Sequence, residues 1–144
     1  MPYLCGSTSE DIVPPIIYRM AKSWARLQSD QGKCKSFDYF FCRQLPGDGC
    51  GAWHSSDLWY VFGTLEGSWR PFTEWDYKLS NAMVDYISNF VKNGNPNGPG
   101  LTEWLPMEKG QNLVMRFGDE DMHMGGVSLA KLTRTMLTKP SVGE

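Results

Sequence analysis

Apolar residues along the chain fall into short runs and helical stripes, separated by glycine- and proline-rich breaks, and the spacings predict alternating strands and helices. Tyr3-Leu4-Cys5 reads as a short strand ending at Gly6, followed by a polar loop from Ser7 to Asp11. Val13-Pro14-Pro15 then starts a helix, because proline fits the first helical turn, where its missing N–H has no partner to lose. From Ile16 to Gln28 the apolar residues Ile17, Met20, Ala21, Trp24 and Leu27 recur at helical spacing, and Gln31-Gly32-Lys33 ends the helix. The apolar and aromatic run Phe37 to Cys42 is a buried strand, and Leu45 to Gly51 is a loop that neither strand nor helix continues comfortably. An aromatic run closed by Gly63 follows, then an irregular Ser68 to Phe72. Thr73 is an N-cap with Asp76 as a shortened capping-box partner. The helix from Glu74 to Lys92 puts Trp75, Leu79, Met83, Tyr86, Ile87 and Phe90 on one face and stops at Gly94. Asn95 to Gly100 is a turn-rich loop, Asn112 to Phe117 a further strand and Leu129 to Leu137 a terminal helix, with the last residues expected to fray.

Composition narrows what such a chain does. At 144 residues, with 41% hydrophobic residues and six tryptophans, the chain is expected to form a single unit over 1–144 with a real core. A net charge of -2, with acids and bases scattered, provides no field for nucleic acid or an anionic membrane surface. No apolar run approaches the roughly 18 residues of a membrane span, and no basic-then-apolar leader opens the sequence. Cys5, Cys34, Cys42 and Cys50 show neither a Cys-x-x-Cys pair nor zinc spacing, so they are read as reduced and structural, in a chain expected in the cytoplasm. No phosphate-cradling loop is present, and no cofactor or metal is implied.

Candidate chemistry centres on Gly51-Ala52-Trp53-His54-Ser55-Ser56-Asp57, where a histidine sits just past the end of a strand. Open α/β folds place reactive groups there, and imidazole exchanges protons near neutrality. A hydrogen-bonded structural histidine is the plain alternative. The second histidine, in Asp121-Met122-His123-Met124, has soft-metal spacing but reads as a surface turn.

Three blocks resemble the carboxyl-terminal part of type-B carboxylesterases, the cholinesterase-like members of the α/β-hydrolase superfamily. Gly51-Ala52-Trp53-His54, with Asp57 and the run to Val61-Phe62-Gly63, is similar to the segment carrying the catalytic histidine. Asn89-Phe90 to Asn97 with Trp104-Leu105-Pro106 is similar to the tail that follows it, and Pro2 to Asp11 to the strand and loop carrying the acid. The resemblance implies an α/β fold, the carboxyl-terminal portion of an α/β-hydrolase with an incomplete sheet of few strands flanked by helices. It also implies a Ser-His-acid triad acting on small carboxylic esters. On it, His54 is the base and Asp11 the acid, with Asp where the family has Glu and Ile12 where it has glycine. Glu10 is the rival acid, and Asp57 matches an acidic position that supports the histidine from behind.

The Gly-x-Ser-x-Gly nucleophile of that family does not occur in the sequence. Gly126-Val127-Ser128-Leu129-Ala130 imitates it, but after the histidine and with no strand running in, so Ser128 reads as a helix cap. Cys50 is the other thinkable nucleophile, without an evident oxyanion hole. The chain is therefore expected to lack activity alone and to need an amino-terminal part of the same enzyme as partner. The alternative expectation is a non-catalytic remnant or interaction module.

Overall fold

The computed structural model describes residues 1–32 and 34–138. Lys33 of the expected helix stop and the expected fraying of residues 139–144 lie outside the described residues. Strands β1 (Tyr3–Thr8) and β2 (Ser36–Phe41) are parallel neighbours joined through helix α1 (Pro14–Gln31). A short helix α2 (Leu58–Val61), a 3-10 turn at Leu65–Gly67 and the long helix α3 (Glu74–Asn93) lead to strands β3 (Val114–Phe117) and β4 (Met122–Gly125) and helix α4 (Leu129–Thr138). The sheet order is β1-β2-β3-β4, with β3 parallel to β2 and β4 antiparallel to β3. The class is α/β, a mixed sheet flanked by helices.

Alternation along β2 builds two cores, one per face. Phe37 and Phe41 pack with Leu79, Met83 and Tyr86 of α3 and with Trp104, Met115 and Phe117. Trp104 is 1% exposed and meets Phe37, Tyr86 and Phe117 edge-on at 5.4 to 6.1 Å. Phe40 on the opposite face packs with Tyr18 and Ala25 of α1, Val114 of β3 and Leu132 of α4. α3 obeys its local signals. Asp76 accepts from the Thr73 amide at 2.8 Å and the Thr73 hydroxyl at 2.7 Å, and Gly94 ends the helix at φ 68°.

Two expectations are corrected, and the direction of one stripe is added. β1 runs through Gly6 to Thr8, because pairing with β2 carries it on; a Cβ at Gly6 would lie 2.2 Å from the Tyr39 ring, so the glycine serves a close approach rather than a stop. The apolar stripe of α1 faces outward in large part: Met20, Trp24 and Leu27 are exposed, while Pro14, Tyr18 and Ala25 are buried. His123 lies in β4, paired across to Arg116, and not in a turn.

Candidate active site

The parallel register that sets Thr8 beside Phe41 also brings the loops leaving β1 and β2 side by side. Their backbones stay zipped for two more steps. The Ser9 amide donates to the Phe41 carbonyl at 2.9 Å and the Glu10 amide to the Ala52 carbonyl at 3.0 Å, with a parallel bridge from Glu10 to Trp53. The next residue on each side is then Asp11 and His54, 43 positions apart in sequence. Nδ1 of His54 is 2.7 Å from Oδ1 of Asp11. Asp11 is fixed further by the Ile12 amide at 2.8 Å on Oδ1 and the Thr8 hydroxyl at 3.2 Å on Oδ2. The Asp11 side chain is 4% exposed, whereas that of His54 is 62% exposed. One ring nitrogen is tied to a buried carboxylate while most of the imidazole stays open, the arrangement a proton shuttle needs.

The other named residues go elsewhere. Glu10 Oε1 accepts from the Ala52 amide at 3.4 Å, and its carboxylate occupies the space a side chain at Gly51 would fill. Asp57 is buried and accepts the Tyr39 hydroxyl at 2.5 Å. Ser128 caps α4, its hydroxyl taking the Lys131 amide at 3.3 Å. The Cys50 amide donates to Asp48 at 3.1 Å, and no disulfide is formed among the described residues. His123 Nδ1 lies 2.9 Å from Asp121 Oδ2. Among the described residues no cluster of three or more His, Cys, Asp or Glu is arranged to hold a metal ion.

Two further arrangements escaped the sequence. Asp76 is fully buried and binds Arg43 through two bonds of 2.7 and 3.0 Å and the Tyr60 hydroxyl at 2.6 Å. Burial raises the Asp76 pKa, but the bonds from Arg43, Tyr60 and Thr73 outweigh it and hold the carboxyl at about 2. Arg70 stacks over Trp53 at 4.7 Å and Trp69 at 4.9 Å, and is held by Asp48 and the Pro46 carbonyl. The aromatics around the histidine turn divide: Tyr60 is core, Trp53 and Trp59 pack edge-on at 5.5 Å, and Phe62 points out at 69% exposure. A cleft of about 680 Å³ lies along Glu10, Cys42, Arg116 and Lys131 and does not include His54.

The family model described as "Carboxylesterase family" matches residues 11–135. The medium-chain fatty acyl-CoA hydrolase precursor of Anas platyrhynchos is 34% identical over 107 residues, covering 66% of this chain and 18% of that protein. The Homo sapiens cocaine esterase is 44% identical over 52 residues, 35% of this chain and 9% of that protein. Among solved structures, a Clostridium hathewayi esterase described as hydrolysing aliphatic aromatic polyesters superposes with a TM-score of 0.64 at 25% identity, over 84% of this chain and 24% of that one. A thermophilic PNB esterase gives 0.67 at 20% identity, over 84% and 25%. The chain therefore spans a quarter or less of these relatives.

Proposed function

The chain belongs to the carboxylesterase family, and we propose that it is the part of a carboxylic ester hydrolase that supplies the base and the acid of a Ser-His-Asp triad, the serine lying outside these 144 residues. The observation that carries this reading is the 2.7 Å contact between buried Asp11 and open His54. In the reaction His54 removes the proton from the serine hydroxyl as its oxygen attacks the ester carbonyl, and returns it to the departing alcohol oxygen. The same imidazole then deprotonates the water that cleaves the acyl-enzyme, releasing the carboxylic acid. Asp11 accepts the Nδ1 proton, fixes the tautomer and stabilises the imidazolium. Glu10 braces the Ala52 main chain, and Asp57 supports the histidine turn from behind.

The partner in this reading is an upstream portion of the same enzyme, bringing the nucleophile and the oxyanion donors. β1 is the last strand of the sheet, so its outer edge is available for a further strand. The outward apolar side of α1, with Ile16, Met20, Trp24 and Leu27, also favours the second reading, a non-catalytic interaction module.

Hydrolysis of a chromogenic short-chain ester separates the two. The chain alone is expected to show no turnover above His54→Ala, because a base with no nucleophile to activate contributes little. Added to the upstream portion of such an enzyme, it is expected to restore turnover that His54→Ala and Asp11→Ala abolish. Turnover by the lone chain that vanishes in His54→Ala yet survives Ser128→Ala and Cys50→Ala refutes the external serine. Failure to complement in any combination favours the interaction module.

A further inference from the structure

The turn that carries His54 is bent in a way its sequence does not favour. Ser55, the next residue, adopts φ 67°, the only positive φ at a non-glycine residue among those described. Such a backbone persists only where its surroundings over-determine it. Inside the turn the Ser56 amide reaches the Trp53 carbonyl at 3.0 Å and the Leu58 amide the Ser55 carbonyl at 3.2 Å. The turn is anchored at both ends. On the entry side, Glu10 and Ala52 join main chain to main chain at 3.0 Å. On the exit side the anchor is a side-chain bond from the sheet, the Tyr39 hydroxyl to Asp57 at 2.5 Å.

That second anchor is built in across three elements. Tyr39 leaves β2 on the face of Phe37 and Phe41, its ring set against Trp104 at 6.1 Å and Phe117 at 5.7 Å. The far end of the ring passes over β1 at Gly6, its register partner, where any Cβ would lie 2.2 to 2.4 Å from it. The hydroxyl thereby reaches a carboxylate only 7% exposed. Burial, then the Asp57 charge, push the phenol pKa well above 10, so Tyr39 stays protonated and a donor at neutral pH. Asp57 in turn receives the Tyr60 and Val61 amides on its carbonyl at 3.0 and 2.9 Å, which ties the bond to the start of α2.

We infer that Tyr39, acting through Asp57 and admitted by Gly6, is a positioning residue that holds the His54 turn so that the imidazole presents Nδ1 to Asp11. The inference rests on the proposed acid–base pair and adds to it a donor that never touches the ring. Its predicted signature is the tautomer of His54, since the Asp11 contact selects the Nδ1–H form and a loosened turn releases that selection.

Long-range proton–nitrogen NMR correlation on the whole chain reads this tautomer directly. In the unsubstituted chain the Nδ1–H form is expected to dominate the neutral imidazole. Tyr39→Phe, which keeps the ring and removes the hydroxyl, is expected to lower that fraction by about twofold or more. Asp57→Ala should do the same, while Asp57→Asn, still an acceptor for the phenol, should preserve it. Amide exchange in α3 serves as the control and should be unchanged. Should Tyr39→Phe fail to fold, the contrast between Asp57→Ala and Asp57→Asn decides alone. An unchanged tautomer in Asp57→Ala, or in a folded Tyr39→Phe, overturns the positioning role and leaves the acid–base pair standing. An unsubstituted chain with no Nδ1–H preference overturns that pair and this inference with it.

Discussion

Replacing Asp38 by asparagine is expected to remove a loss of stability that the parent suffers as pH rises towards neutrality. Asp38 lies on β2 opposite Cys5 of β1, fully buried beneath α1. Its Oδ1 has the Cys5 thiol at 3.8 Å, and Oδ2 has no hydrogen-bond partner. The nearby cations are engaged elsewhere: Lys22 holds the Tyr18 hydroxyl and Asn112, and Arg26 holds Asn112 and the Gln111 carbonyl. Burial pushes the carboxyl from 3.8 up to about 7, with Lys22, Cys5 and the Tyr39 amide pulling weakly the other way. Below about pH 4 the group is protonated folded or unfolded and costs nothing. Between about pH 4 and 7 the unfolded chain releases its proton while the native state keeps it, so stability falls as pH rises. Above about pH 7 the full penalty remains, roughly three units at about 1.36 kcal/mol each, or about 4 kcal/mol. Asparagine has the same shape and no charge. Its constant cost or gain is separated from titration by measuring both proteins across pH. Urea unfolding followed by tryptophan fluorescence at steps from pH 4 to 8.5 should show the variant gaining about 4 kcal/mol relative to the parent over that range. A difference constant to within about 1 kcal/mol would show that ionised Asp38 is solvated or paired, and the reasoning would fail.

Asp76→Ala strands the Arg43 guanidinium and the Tyr60 hydroxyl, and should cost about 3–5 kcal/mol in urea unfolding, with near-ultraviolet circular dichroism reporting loosened aromatics. In the parent, because the Asp76 carboxyl is held at about 2, its contribution should persist above about pH 4 and fade only as pH falls towards 2, which an acid-unfolding curve checks. Gly6→Ala drives a methyl into the Tyr39 ring and should cost about 1–3 kcal/mol or more by the same assay, where alanine in an open strand would help. Trp104→Ala empties the centre of the α3-side core and should cost about 3–5 kcal/mol in urea unfolding.

How much of this was legible follows the range of the signal. α3 could be read completely, because a capping pair three residues apart, an apolar stripe and a glycine stop are all local. For α1 the spacing was right, and the direction of the stripe had no signal in it. A stripe says which residues share a face, not whether that face meets the sheet. Here the buried side of α1 carries Pro14, Tyr18 and Ala25, with Lys22 near enough to Asp38 to pull its carboxyl down, and Met20, Trp24 and Leu27 are left outside. β4 was illegible for another reason: Met122-His123-Met124-Gly125 has little strand character of its own and becomes a strand only by pairing with Val114 to Phe117.

The candidate site divides the same way. Asp11 and His54 were joined by resemblance, since nothing in their separation by 43 positions announces a contact. The choice between two adjacent acids belongs to geometry. Successive side chains of an extended backbone point to opposite sides, so once Glu10 bridges to Trp53 and turns its carboxylate to the Ala52 amide, Asp11 is left to face the imidazole. Gly51 follows from the same step, because at φ 74° its missing side chain is the room the Glu10 carboxylate fills. Tyr39 stayed hidden because alone it is one more aromatic in a buried strand. Its hydroxyl acquires a role only when a glycine 33 positions earlier clears the path and a carboxylate 18 positions later waits at the end of it, and neither separation has a local signature. A glycine directly across a parallel pair from a buried tyrosine is thus a better pointer to such a tether than any spacing along the chain.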